Sequence, residues 1–179
     1  MKGLLNYFTK EELEHLKHFD LYSRSESLVR RLFKDKTDKE GKPYINHLLR
    51  VSEKMTIVDG KVAGLLHDVV EDIDGVTFED LIMFGIPEHI IEVLKLVTKE
   101  ETTKTLTKEE KLQKYNKEID RIIESKNLLA LELKIADMSD NYDSNRLEEL
   151  DLETRKWFDL KYGENLKKLR KARENYDRH

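Results

Sequence analysis

KVAGLLHDVVEDID, residues 61–74, decides how this chain is read. Val62, Leu65, Leu66, Val69, Val70 and Ile73 recur at the spacing of one face of a helix. At about 100° per residue, His67, Asp68, Glu71 and Asp72 occupy the opposite strip. His67 stacks one turn from Glu71, and Asp68 one turn from Asp72. Three carboxylates and an imidazole thus share one strip, with no lysine or arginine inside the cluster. A solvated polar face accounts for this pattern on its own. A divalent cation would also relieve the repulsion, using oxygen and nitrogen ligands.

Two other segments bear on that choice. GKPYINHLLRV, residues 41–51, leaves a loop marked by Gly41 and Pro43 and enters an apolar-periodic helix with His47 near its start. Tyr44 either packs the entrance of that helix or stacks on a base. LLALELKIADMSDN, residues 128–141, is apolar around most of its circumference, the pattern of a helix buried in a core. Asp137 sits in that surrounding, where a carboxylate is costly unless it is paired, hydrogen-bonded or metal-bound. A salt bridge to Lys134 or to a distant arginine would satisfy it as well as a metal. Asn141, one turn on, is placed to bond a ligand or a neighbouring acid. Two histidines and two aspartates from separate helices make a reasonable metal set, whose convergence sequence spacing leaves open.

The ordered set PYINH, LLHDVVED, VTK at 97–99 and LKIADMSDN resembles the HD-domain phosphohydrolases. Within them it is most similar to the hydrolase domain of the RelA/SpoT family and its small stand-alone relatives. The resemblance covers about residues 20–150. It implies an all-α fold, a single compact HD-domain helical bundle spanning residues 1–179, with a helical extension from about 150. It implies a Mn²⁺ cofactor, or another divalent metal, and hydrolysis of guanosine tetraphosphate or pentaphosphate at the 3′-pyrophosphate. By the same resemblance His47, His67, Asp68 and Asp137 are the metal ligands. Glu71 and Asp72 match the acidic pair that acts on the attacking water, either of which is the base. Asn141 matches a residue near the nucleotide.

The departures from the family pattern fall on the substrate side. Its members usually carry an arginine followed by a lysine before the PY motif. Here the loop reads KDKTDKEGKPY, so Lys36 is the nearest candidate nucleotide contact, without the bidentate geometry of arginine. Met138 and Asp140 stand where a basic residue and an aromatic or histidine are usual, and Leu48 replaces a common proline. The metal and water machinery is complete, while parts of the substrate pocket differ. Other HD hydrolases, acting on other nucleotides or phosphoesters, and a non-catalytic nucleotide binder are the competing readings.

Composition fits one helical domain. Of 179 residues, 38% are hydrophobic and 39% charged, which suits amphipathic helices with charged outer faces. The net charge of −4 argues against nucleic-acid binding, which needs a basic surface. With no cysteine, a disulfide framework, a thiolate nucleophile and a zinc–thiolate site are excluded. No apolar run is long enough to span a membrane and no secretory signal is present, so a soluble, cytoplasmic protein is expected. The expected partner is a small nucleotide, and a homo-oligomer is compatible with the sequence. No GxxxxGK[ST] loop occurs, which argues against a P-loop enzyme.

Helix signals are frequent. Thr9 with Glu12, Thr77 with Asp80 and Thr107 with Glu110 are capping-box patterns. The spacing predicts helices over about 9–19, 21–34, 44–57, 60–73, 77–85, 87–97, 107–125 and 127–142, and a helical tail from about 150. Gly85 and Pro87 punctuate two of them. Residues 98–106 form a polar, threonine-rich loop that is expected to be mobile.

Overall fold

The structure, a computed structural model, describes residues 2–39, 41–99, 105–148 and 150–176. The loop expected over 98–106 lies, at 100–104, outside the described residues. Among the described residues the regular elements are helical, and Thr37 and Pro43 form an isolated antiparallel bridge. No described helix is long and apolar enough to cross a membrane. Packing divides the chain into two compact units, 1–98 and 99–179.

The first unit holds α1 (Lys10–Leu16), α2 (Leu21–Leu32), α3 (Ile45–Glu53), α4 (Val58–Leu66), α5 (Val69–Asp72), α6 (Phe78–Phe84) and α7 (Glu88–Val97). Their starts follow local chemistry. The capping boxes at Thr9 and Thr77 are both closed, each side chain accepting the backbone N–H three residues on and the acid reaching back. Asp20 caps the start of α2 by accepting from the Ser23 N–H, a start signal that the apolar periodicity alone does not carry. Gly85 ends α6 at φ +96°, a left-handed conformation that L side chains rarely adopt.

α4 is the centre of this unit, packed against α2, α3 and α7. Gly60, Val62, Ala63, Gly64, Leu65 and Leu66 are all buried. Around them lie Leu28, Val29 and Phe33 near α2, Leu48 and Val51 of α3, and Ile90, Ile91 and Leu94 of α7. Each such side chain contributes about 1.5–3 kcal/mol through burial. The helix predicted over 60–73 is interrupted: α4 ends at Leu66, His67 and Asp68 form a turn, and α5 resumes at Val69. A continuous helix would reserve the Gly64 carbonyl for the Asp68 N–H. Here the His67 ring nitrogen Nδ1 lies 2.8 Å from it.

The second unit holds α8 (Lys108–Glu124), α9 (Leu128–Asn141), α10 (Ser144–Glu148), α11 (Leu152–Phe158), a π-helical turn at Asp159–Gly163 and α12 (Glu164–Tyr176). Thr107 closes the third capping box and Asn127 caps α9. α9 packs against α12 and α8. Its buried face carries Ala130, Leu131, Leu133, Ala136 and Met138, together with Lys134, Asp137 and Asp140.

Gly64 sets the distance between α3 and α4. A Cβ there would stand 2.8 Å from Ser52 Cα and 2.9 Å from Ser52 N, backbone atoms that cannot swing aside. Gly64→Ala is therefore expected to destabilise the protein by roughly 1–3 kcal/mol, the usual range for overpacking. Urea unfolding followed by circular dichroism measures it, and an unchanged midpoint would contradict the close contact.

Candidate metal centre

Three ligand-type side chains converge in the first unit. His47 comes from the first turn of α3, and His67 and Asp68 from the turn between α4 and α5. One donor atom from each lies within 4.8 Å of the others. Asp68 Oδ2 is 3.1 Å from His67 Nε2 and 3.7 Å from His47 Nε2, and the two imidazoles lie with centroids 5.3 Å apart. All three residues are buried, at 2%, 5% and 9% relative exposure for His47, His67 and Asp68. Among the described residues this is the group of histidines and acids with metal-binding geometry.

The local fold orients the donors. His67 Nδ1 faces the Gly64 carbonyl at 2.8 Å, an acceptor only, so this nitrogen carries the proton. In the neutral ring the lone pair is then on Nε2, aimed at the Asp68 carboxylate. Two electron-rich atoms 3.1 Å apart repel unless a proton or a cation lies between them. A carbonyl behind the second ring nitrogen is the usual support of a metal-bound histidine. Neighbouring donors on a six-coordinate ion with bonds of about 2.1 Å lie about 3 Å apart, close to the spacing found. Two imidazole nitrogens and a carboxylate oxygen suit a divalent cation of intermediate hardness.

The other residues singled out from sequence take varied places. Glu71 and Asp72 lie on α5, directly after Asp68, and both are half-buried. The Asp72 N–H donates to the Asp68 carbonyl at 2.9 Å, which ties the acid pair to the cluster. Lys36 donates to the Asp72 backbone carbonyl, so its ammonium is anchored beside the acid pair. Tyr44 stacks on Phe33 at 5.4 Å, 13° from parallel, and its hydroxyl donates to Asp68 Oδ2 at 2.6 Å. Of the two roles open to Tyr44 from sequence, packing the helix entrance is the one these contacts describe.

Asp137, in the second unit, is held on both carboxylate oxygens. Lys134 Nζ donates to Oδ2 at 3.0 Å and Asn141 Nδ2 to Oδ1 at 2.6 Å. Lys134 is itself buried and lies over the Tyr115 ring at 5.6 Å. Burial first, then Tyr115 and Asp137, push the Tyr162 hydroxyl well above the ordinary phenol range. Asn141 thus bonds the neighbouring acid, one of the two partners open to it from sequence. Met138 and Asp140 are fully buried.

Sequence reasoning missed Gly64, whose carbonyl orients His67 and whose missing side chain admits α3. An isolated glycine inside an apolar helical run is the signal that marks such close packing. The Tyr44–Asp68 bond had no sequence signal, since 24 residues separate the partners.

Two outcomes are expected from this geometry. His47→Ala and Asp68→Ala should each abolish saturable binding of Mn²⁺ or Zn²⁺ by isothermal titration while keeping helical circular dichroism. Wild-type affinity in both would remove the cluster as a metal site. Lys134→Met should lower stability by roughly 3–5 kcal/mol, because it leaves the Asp137 charge buried without its counter-ion. A shift below about 1 kcal/mol in urea unfolding would show that solvent reaches this pair.

No protein-family model matches the sequence. No curated protein matches it either. In three dimensions the chain is similar to a solved structure described as a metazoan ortholog of SpoT that hydrolyzes ppGpp and plays a role in starvation responses. The TM-score is 0.64 at 20% sequence identity, over 87% of this chain and 96% of that chain. The chain has the all-helical HD-type fold of that structure, with a buried His–His–Asp cluster formed by PYINH and HDVVED.

Proposed function

We propose that the chain is a metal-dependent phosphohydrolase of a phosphorylated nucleotide, specifically a guanosine-3′,5′-bis(diphosphate) 3′-pyrophosphohydrolase. The observation that carries this reading is the convergence of His47, His67 and Asp68 on an HD-type fold. In it residues 1–179 act as one hydrolase domain of the cytoplasm, with the helical stretch from about 150 as an extension. His47, His67 and Asp68 hold a divalent metal, with Mn²⁺ as the physiological ion, and Asp137 is the further ligand implied by the family resemblance.

When bound, the metal lowers the pKa of a water and polarises a phosphoryl oxygen. The chain's own residues do the rest. Glu71 or Asp72 accepts the proton of the attacking water, and the other carboxylate positions it. Their place one turn after Asp68 supports that role, because a base must sit beside the water it deprotonates. Lys36, bound to the Asp72 carbonyl, holds α5 and its acids in place, and in this reading its positive charge meets the pyrophosphate. Asn141 and Tyr44 lie near the nucleotide in the same reading. Water attacks the 3′-pyrophosphate, the bond to the ribose 3′ oxygen breaks, and a proton passes to that oxygen. One water and one ppGpp give GDP and pyrophosphate.

A second reading keeps the chemistry and changes the nucleotide. It is favoured by the burial of Met138 and Asp140, which stand where the family usually has groups of other character. A different HD substrate, such as a deoxynucleotide or a nucleoside monophosphate, would follow. In the third reading, a non-catalytic binder, the Glu71–Asp72 pair has no use.

Metal-free protein incubated with ppGpp should release GDP and pyrophosphate only after Mn²⁺ is added, as read by anion-exchange chromatography. Asp68→Ala should lose metal and turnover together. Glu71→Gln, if Glu71 is the base, should keep the metal and lose ~10²–10⁴-fold in rate. Metal binding without turnover of ppGpp would move the substrate to another nucleotide. Undiminished turnover by Asp68→Ala would end the assignment.

A further inference from the structure

We propose that Tyr44 is a positioning residue for the metal centre. Its hydroxyl fixes the Asp68 carboxylate in the orientation in which Oδ2 meets both imidazoles, so that a cation enters a preformed site. The inference rests on the reading of His47, His67 and Asp68 as ligands, and adds a residue to it that donates no ligand atom.

Tyr44 is held from three sides before it reaches Asp68. Its ring lies parallel to fully buried Phe33 at 5.4 Å, which fixes the plane. Its backbone N–H donates to the Lys36 carbonyl at 2.9 Å, across a loop closed by the Thr37–Pro43 bridge and the Asp38 N–H to Lys42 carbonyl bond. Its own carbonyl accepts from the His47 N–H at 3.0 Å in the first turn of α3. A tyrosine so seated can place its hydroxyl in one region only. There it donates to Asp68 Oδ2 at 2.6 Å, within the short range of charge-assisted O–H···O bonds. The same ring meets His47 edge to face at 5.5 Å. One side chain therefore braces two of the three donors, and joins the start of α3 to the turn after α4.

Two effects of the hydroxyl oppose each other. By drawing charge from Oδ2 it makes that oxygen a weaker donor. By holding the carboxylate in place it removes the ordering that a free Asp side chain would undergo on binding. Loss of such a supporting hydrogen bond typically weakens metal binding ~10–100-fold, so orientation outweighs charge withdrawal in comparable sites. The Phe33 contact also covers one face of the ring, which limits Tyr44 as a platform for a base.

The test is Tyr44→Phe in the full chain, which deletes one oxygen and keeps the stack on Phe33. After chelation to the metal-free state, Mn²⁺ is titrated and the free ion followed by electron paramagnetic resonance. The expected result is a Kd raised ~10–100-fold with unchanged helical circular dichroism, and a smaller rise in Tm on adding Mn²⁺. A variant with a lower metal-free Tm and a wild-type Kd would show a purely structural hydroxyl and overturn the proposal. Wild-type protein that binds no Mn²⁺ would instead overturn the metal centre itself, and Tyr44's role with it. A crystal structure of the Mn²⁺-loaded wild-type chain gives a reading independent of the variant. Tyr44 still bonded to a ligating Asp68 supports the role, and Tyr44 swung away from it refutes the role.

Discussion

Gly64 lies so close to the backbone of Ser52 that no side chain fits between them, and the arrangement of the first unit hangs on that approach. It lets α3 lie against α4 with backbone near backbone, which brings His47 into reach of the turn at His67 and Asp68. The same residue offers its carbonyl to His67 Nδ1 at 2.8 Å, which selects the ring nitrogen that faces the cluster. One glycine therefore sets both the separation of the two segments that carry His47, His67 and Asp68 and the tautomer of His67. The helix interruption at residues 67–68 belongs to the same event. It turns Asp68 inward beside His67 and leaves Glu71 and Asp72 on a short helix of their own.

Burial of ionisable groups gives the molecule its chemical character. A carboxylate removed from water needs donors or counter-charges, and Asp68 and Asp137 obtain them differently. Asp68 has the Tyr44 hydroxyl and two imidazoles that can share a cation. Asp137 has the Lys134 ammonium and the Asn141 amide, one on each oxygen. The first set leaves room in its chemistry for a metal. In the second, a counter-ion is already supplied by the chain.

Much of the fold was legible because helix signals are local. Capping boxes at Thr9, Thr77 and Thr107, the left-handed Gly85 and the apolar periodicity each act within a few residues, and the helices start within a residue or two of their predicted positions. The ends were less legible. α3 stops at Glu53, short of the predicted 57, and the helix over 60–73 is broken at the motif itself. Periodicity marks which face is apolar, and it carries no information on a side chain that captures a backbone carbonyl.

The sequence by itself determined the helical class and the starts of most helices, and marked His47, His67 and Asp68 as candidate donors, because each depends on residue type and near-neighbour spacing. Only the tertiary structure decided which donors meet, since that depends on how closely α3 and α4 approach. It also decided that Tyr44 serves Asp68, that Lys36 holds the Asp72 carbonyl and that Lys134 neutralises Asp137 in a buried setting. The first two join residues more than twenty positions apart. The third pair is near in sequence, but its weight comes from burial, which the whole second unit creates around it.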